Sequence, residues 1–445
     1  MRMPASPPNH LELIRRSAGR IFDISTALHA HHRPGLNYLH WDDLRRRRPP
    51  AGLTSEEWWL GLKLGRTGLL RGTPLRDPTG RAFNYLVTDS MLEQLHRVDT
   101  QGGGHLRSTA EPGLTPDSRD QYYIRSLMEE AITSSILEGA HTTRRAAEKM
   151  IRENRRPRNK SEKMVLNNFM TMKRIEELVG DPLTPEVVFE IHELITRDTF
   201  EDPTASGRFR QSDEDIVVGD LYGEIFHRPP PAGELESRMI EMCRFANKET
   251  PTEFLHPVLR SIFLHFWLAY DHPFVDGNGR TARALFYWSM LKSGYWLCAF
   301  ISISQVILRA PIQYGRAFLL TETDDLDLTY FAIYHLDVIR KALDNFHEYI
   351  ERKTRDLRAV EKRLKGIKLL NHRQQDLMRH ALRHPGTEYT FQSHQSSQGV
   401  VYQTARTDLL DLASRGLLVK RKVAKSWRFE PAPDLERRLS TLPDA

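Results

Sequence analysis

The chain has 445 residues, a formal net charge of +6 and two cysteines. That length exceeds one compact domain and suits two or three. No apolar run reaches the roughly 18 residues of a membrane span, no apolar signal-peptide core opens the chain, and no Cys/His cluster has zinc spacing. Cys243 and Cys298 lie in apolar segments and read as buried thiols, which fits a reducing cytoplasm.

The first hundred residues mix helical stretches with turn chemistry. Arg45 to Arg48 and Pro49-Pro50 form a basic break before Thr54-Ser55-Glu56-Glu57, a helix start. Gly102 to Pro116 is rich in Gly, Ser, Thr and Pro and reads as a loop. From Tyr122 the pattern turns helical: Ile124, Leu127, Met128, Ala131, Ile132, Ser135 and Ile136 keep i, i+3, i+4, i+7 spacing. Further helices are predicted at 160–179, 185–199, 233–247, 256–271, 280–292, 303–309 and 328–352. Between Gly207 and Pro231 the period changes. Ile216-Val217-Val218 and Tyr222 to Phe226 flank a Gly-Asp turn, a short hairpin that Pro229-Pro230-Pro231 ends. A lone hairpin cannot stabilise itself, so it must pack on helices.

Residues 351–368 read as a helical connector and the last eighty as a separate unit. There Leu369 to Arg383 has helical spacing, and Tyr389-Thr390-Phe391 is a short strand or turn. Gln392 to Gly399 is polar, and Tyr402 to Leu418 is an amphipathic helix. Val419 to Val423 and Ser426 to Phe429 form a basic hairpin. From Gly366 to Glu430 there are 11 Lys/Arg against 5 Asp/Glu, so the chain's whole positive excess sits in this stretch. An anionic partner such as nucleic acid and a plain solvated basic face both account for it.

The densest chemistry lies in His272-Pro273-Phe274-Val275-Asp276-Gly277-Asn278-Gly279-Arg280. An apolar helix ends at Pro273, which cannot continue the hydrogen-bond ladder. Phe274 anchors the loop. Gly277 and Gly279 let the backbone curl around an anion, and the next helix points its free N–H groups at the same place. In such a cradle His272 can take a proton from a hydroxyl, and Asp276 can hold Mg²⁺ between phosphate oxygens. Asn278 and the glycine amides can stabilise charge on an α-phosphate. Arg280 and Arg283 can clamp the β- and γ-phosphates.

The nine residues resemble the Fic family motif HPFx[D/E]GN[G/K]R at every defined position. The resemblance covers roughly residues 120–350. It implies a mostly α fold: a Fic helical core with a small β-hairpin flap, and, as appended to many Fic proteins, a C-terminal winged-helix domain. The expected boundaries are 1–115 for an N-terminal helical region, 116–355 for the Fic domain, and 356–445 for the connector and winged helix. The implied activity is Mg²⁺-dependent transfer of AMP from ATP to a Ser, Thr or Tyr hydroxyl of a target protein. Ser134-Ser135-Ile136-Leu137-Glu138-Gly139 resembles the family's inhibitory pattern [S/T]xxxE[G/N]. In the family, that glutamate, here Glu138, pairs with the second motif arginine, here Arg283. Ile225, Phe226 and His227 fall on the family's flap, which holds a target segment, and Tyr314 falls where Fic proteins often place an aromatic near adenine. A winged helix implies DNA contacts from Gln403, Thr404, Arg406, Lys420, Arg421 and Lys422, or a protein-contact role for the same surface. Two other functions stay open: removal of AMP from a modified protein, and a transcription regulator whose core senses nucleotide. Homo-oligomerisation stays open as well. No membrane role is expected.

Overall fold

A computed structural model describes residues 1–31, 38–103, 116–153, 155–214, 216–219, 223–364, 369–423 and 426–442. The described chain is mostly helical, with three separate two-stranded antiparallel sheets. It divides into two compact units. One comprises Met1–Gly104 and Ser126–Leu343, the other His105–Arg125 and Asp344–Ala445.

At the heart of the first unit is the helix Pro257–Asp271, in which every residue but Pro257 and Ala269 is buried. Pro257 opens it at a position where a missing N–H costs nothing. It packs against the helix Asn278–Lys292, and Ser261 Oγ donates to Ser289 Oγ at 2.8 Å between them. Helices Lys160–Leu178 and Pro185–Thr196 complete the frame, with Trp288 Nε1 donating to the Leu178 carbonyl at 3.1 Å. Cys243 and Cys298 are buried free thiols.

Several elements differ from the sequence reading. The helix that carries Ser134 runs Pro116–Leu137 and so starts six residues before Tyr122, with proline in its first turn. The motif helix starts at Asn278, not Arg280, because Gly277 takes φ 88° and turns the chain straight into it. The helix near 328–352 extends to Leu364, absorbing most of the supposed connector.

A hairpin, β1 (Arg71–Arg76) with β2 (Ala82–Tyr85), was not anticipated. Its only signal is the turn Asp77-Pro78-Thr79-Gly80, where Asp77 Oδ1 accepts from Thr79 and Arg81 amides. The flap is shorter than its sequence suggests: β3 is Val218–Gly219 and β4 is Ile225–His227, with a register irregularity between Val218 and Gly219. Tyr222 and the turn residue Asp220 lie outside the described residues.

The N-terminal helix Ser55–Thr67, closed by a Thr54/Glu57 capping box, grips the turn at 324–327. Lys63 Nζ donates to Asp324 at 2.8 Å, and Arg66 donates to Tyr330 Oη and the Leu39 carbonyl. In that turn Asp325 and Leu326 both hold positive φ, 55° and 61°, a conformation costly for residues with a Cβ.

In the second unit, helices His372–Arg383, Phe391–Gln398 and Tyr402–Ser414 are followed by β5 (Leu418–Val423) and β6 (Ser426–Pro431). The helix Phe391–Gln398 occupies the segment read only as polar; Thr390 caps it and Gly399 ends it in the left-handed region. Tyr389 bridges to Phe429, adding a third short extended segment beside the hairpin. The core includes Leu377, Met378, Leu409, Leu412, Leu417 and Phe429.

Candidate functional site

His272 closes the buried central helix in a left-handed conformation, φ 46°, ψ 55°, with its amide donating to the Leu268 carbonyl at 3.0 Å. Pro273 then forbids another turn. The ring's Nδ1 is 3.2 Å from the Ala269 carbonyl, which can only accept; Nδ1 therefore carries the hydrogen and Nε2 keeps its lone pair. Burial pushes the His272 pKa down to about 4. Positive charge at His227 and Arg210 adds to the fall, and the Ala269 carbonyl and Glu138 oppose it. The ring is thus a neutral base at ordinary pH.

From there the chain forms a cup. Phe274 is fully buried. Carbonyls along the cup are held by donors from outside: Tyr270 by His227 Nε2, His272 by Arg210 Nε, Pro273 by the Arg210 amide, and Asp276 by His192 Nε2. The first N–H groups of the motif helix have no intrahelical acceptor and open into the cup.

Asp276 Oδ1 accepts from the Gly277 amide at 2.6 Å and lies 3.4 Å from Arg280 Nη2, while the side chain is 41% exposed. Among the described residues no group of three His, Cys, Asp or Glu could cage a metal. A single reachable carboxylate beside an anion cradle is instead what Mg²⁺ uses when phosphate oxygens and water complete its octahedron. The residues present fit that ion.

Asn278 departs from its expected role. Its Oδ1 accepts from the Phe274 amide at 2.9 Å and its Nδ2 donates to the Phe274 carbonyl at 2.8 Å. The side chain is buried and engaged by the loop's own backbone, so it braces the cup. Arg280 and Arg283 are both buried, and among the described residues Arg280 Nε and Arg283 Nη1 have no hydrogen-bond partner. Unpaired buried guanidinium nitrogens are expensive unless something anionic approaches.

Arg283 meets the inhibitory pattern. Its Nε donates to Ser134 Oγ at 2.8 Å, and its Nη2 donates to the Ser134 carbonyl at 3.1 Å and to Glu138 Oε1 at 2.9 Å. Glu138 lies against the first turn of the motif helix, so close that a methyl group added at Gly279 would overlap its carboxylate. Gly139 follows with φ 85° and ends the helix.

Eight residues before Glu138 on the same helix, Glu130 is buried. It accepts from Tyr287 Oη at 2.8 Å, Ser302 Oγ at 2.8 Å and the Ser304 amide at 3.1 Å. Tyr287 is one turn beyond Arg283. The spacing 130–134–138 therefore runs along the 287–283 face as a ladder, and Glu130 sets its register.

Of the flap residues, Ile225 is exposed and Phe226 buried. The His227 ring is fastened at both nitrogens, with Nδ1 2.7 Å from Glu322 Oε2 and Nε2 2.7 Å from the Tyr270 carbonyl. Burial alone would lower its pKa, but the Glu322 carboxylate overrides this and raises it. His227 is therefore a fastening of the flap, with no nitrogen left for a nucleotide. Tyr314 lies among Phe318, Phe331, Tyr334 and His335, and its hydroxyl is 2.8 Å from His265 Nε2. The residue is half-buried in this aromatic cluster.

His192, Arg210 and Glu130 went unnoticed in the sequence. Each is a single polar residue in an ordinary segment, and only the fold brings it to the site. In the second unit Gln403 and Arg406 are exposed, Thr404 is half-buried, and Lys420, Arg421 and Lys422 on β5 are all exposed.

Residues 182–290 match the model of the Fic/DOC family. The protein adenylyltransferase Fic of Drosophila melanogaster is 34% identical over 113 residues, 25% of this chain and 21% of the relative. That of Drosophila persimilis is 32% identical over 133 residues, 29% and 24% respectively. The matches thus span about a quarter of these relatives' length. Among solved structures, a Fic family protein from Desulfovibrio desulfuricans G20 aligns over 78% of this chain and 95% of its own, with 20% identity and a TM-score of 0.49. Fic-1 from C. elegans aligns over 78% and 90%, with 16% identity and a TM-score of 0.47. Likenesses this loose fix neither activity nor partner.

Proposed function

We propose that this chain, a member of the Fic/DOC family, transfers AMP from ATP to a Ser, Thr or Tyr hydroxyl of another protein. One observation carries the reading: a neutral His272 whose Nε2 keeps its lone pair opens the same loop that leads into a helix N-terminus and two buried arginines with unpaired nitrogens. That is a base on one side and an anion seat on the other. The acceptor oxygen attacks the α-phosphorus and the bond to pyrophosphate breaks, while the acceptor's proton passes to His272 Nε2. Main-chain amides of the motif helix stabilise the developing charge. Arg280 and Arg283 orient the departing phosphates. Mg²⁺, held by Asp276, would neutralise phosphate charge.

As found, Arg283 is engaged by Ser134 and Glu138, and the Glu138 carboxylate occupies space at the helix N-terminus. The geometry favours a self-inhibited state in which the γ-phosphate lacks its seat. The test is direct. Glu138→Gly protein given ATP labelled at the α-phosphate should label protein acceptors and release pyrophosphate, and Glu138→Gly/His272→Ala should not. Label that appears equally in both would overturn the reading. Loss of label from a pre-modified target, dependent on Glu138, would favour AMP removal instead.

The second unit supports a winged-helix reading through its order: helix, the extended Tyr389, two helices, then β5 and β6. Exposed Gln403 and Arg406 on the third helix, with the basic strand β5, suit duplex DNA.

A further inference from the structure

Helix Pro185–Thr196 contributes His192, a residue no motif identifies. Its ring is fully buried and stacks on Phe274, with centroids 3.7 Å apart and planes 8° from parallel. Its Nδ1 accepts from the Gly207 amide at 3.0 Å, and its Nε2 lies 2.9 Å from the Asp276 carbonyl. The Gly207 contact requires a bare Nδ1 and the carbonyl contact requires a hydrogen on Nε2, so the two bonds select one neutral tautomer. On the other side of the turn, a Cβ at Gly277 would press on His192 and Thr196. One turn on, the Ile195 carbonyl is 3.4 Å from Arg280 Nη1. The cup is thus moulded on this helix.

We propose that His192 is the positioning residue that holds the Asp276 peptide and thereby aims the Asp276 carboxylate into the cup. The inference rests on the reading of the cup as a nucleotide seat. Asp276 has no second backbone tether among the described bonds, and its side chain reaches back only to the adjacent amide and to Arg280. Releasing its carbonyl lets the peptide rotate, and the carboxylate rotates with it. The Asn278 side chain holds the Phe274 backbone without using the His192–Asp276 bond. The effect is therefore local to Asp276 and leaves His272 in place.

Two substitutions separate the bonds. In His192→Gln the side-chain amide nitrogen reaches the position of Nε2 and can donate to the Asp276 carbonyl. In His192→Asn the side-chain oxygen overlays Nδ1 and can accept only from Gly207. Both lose the aromatic stack to a similar degree, so their difference reports the Asp276 bond. The full chain carrying Glu138→Gly is the background. ATP binding is titrated calorimetrically with and without Mg²⁺, and AMP transfer is followed in parallel. His192→Gln should keep the Mg²⁺-dependent gain in ATP affinity within about three-fold of the parent. His192→Asn should lose most of that gain, and kcat should fall about 10- to 100-fold with the acceptor KM little changed, the size expected for misplacement near the chemistry. If Gln and Asn variants are equally impaired, or both match the parent, the proposal is overturned. If no variant, the Glu138→Gly parent included, transfers AMP, the function reading fails. The titration then still decides the role of His192.

Discussion

The loop at 272–283 and the basic hairpin β5–β6 are both rich in cations, yet they treat their charges in opposite ways. In the loop, Arg280 and Arg283 are buried, each has a nitrogen with no partner, and the surrounding carbonyls are tied off by donors. In the hairpin, Lys420 Nζ lies 3.8 Å over the Trp427 ring and Arg421 Nη1 lies 3.3 Å from Glu430 Oε1, all at the surface. A buried cation left incompletely satisfied is costly and implies a ligand that repays it. A solvated cation beside an aromatic ring or a carboxylate costs almost nothing and implies little. Substitutions should therefore have larger effects in the first region than in the second.

The largest effect is expected at His272. If His272 takes the acceptor's proton, as proposed, His272→Ala should lower AMP transfer by roughly 10²–10⁴-fold. ATP binding should persist, since no phosphate contact is lost. Activity within a few-fold of the parent would mean that another base serves the cup.

Next is the grip on Arg283. Glu138→Gly should raise AMP transfer by about ten-fold or more, a positioning effect, and Arg283→Ala should cancel that gain completely. Non-additivity of this kind is what a shared contact demands. The overlap at Gly279 offers a second route. Gly279→Ala should evict the Glu138 carboxylate without altering it, so it should add nothing on top of Glu138→Gly. A further gain in the double variant would place inhibition elsewhere.

This contrast also explains what the sequence could reveal. The loop was legible because nine consecutive residues carry its chemistry, and the inhibitory pattern because Ser134 and Glu138 are one helical turn apart. The supports were not legible. His192 is 82 residues from Phe274, Arg210 is 62 from His272, and Glu130 is 157 from Tyr287; each pairing exists only after the chain has folded. Asn278 misled for a related reason. An amide in an anion loop suggests a ligand, but a buried amide is held by whatever backbone is nearest, here Phe274. The helix Phe391–Gln398 was hidden because its buried residues Phe391 and His394 give only a thin apolar stripe.

A smaller effect concerns pH. His272 and His192 both have pKa values pushed down to about 4, in each case chiefly by burial. In the unfolded chain both would titrate near 6.5. The unfolded state therefore binds more protons between these values, and stability present above pH 6.5 is lost as pH falls towards 4. The kcat/KM for ATP reports the free enzyme, so it should stay flat from pH 8 to 6 and decline only on approach to 4. A half-maximal point near 6.5, with the fold intact, would show that His272 is solvated and not buried.

The smallest effects belong to the hairpin. If β5 lies along a DNA backbone, the 445-residue chain should bind duplex DNA with an affinity that falls as salt rises, each neutralised phosphate contributing about 0.9 to the slope of log K against log salt. Not every cation should count equally. Arg421 is already paired with Glu430 and Lys420 with the Trp427 ring, whereas Lys422 stands 5.9 Å from that ring. Lys422→Gln should therefore reduce the slope by about one unit, and Arg421→Gln by less, because Glu430 neutralises part of its charge beforehand. Gln403→Ala on the third helix should leave the slope unchanged and reduce only discrimination between sequences, since a side chain that reads a base edge releases no counterion. Equal loss for Lys422→Gln and Arg421→Gln would mean that the Glu430 pair opens on binding. Binding absent at low salt would leave the exposed cations of β5 as a solvated or protein-facing surface, which is the outcome their easy solvation already permits.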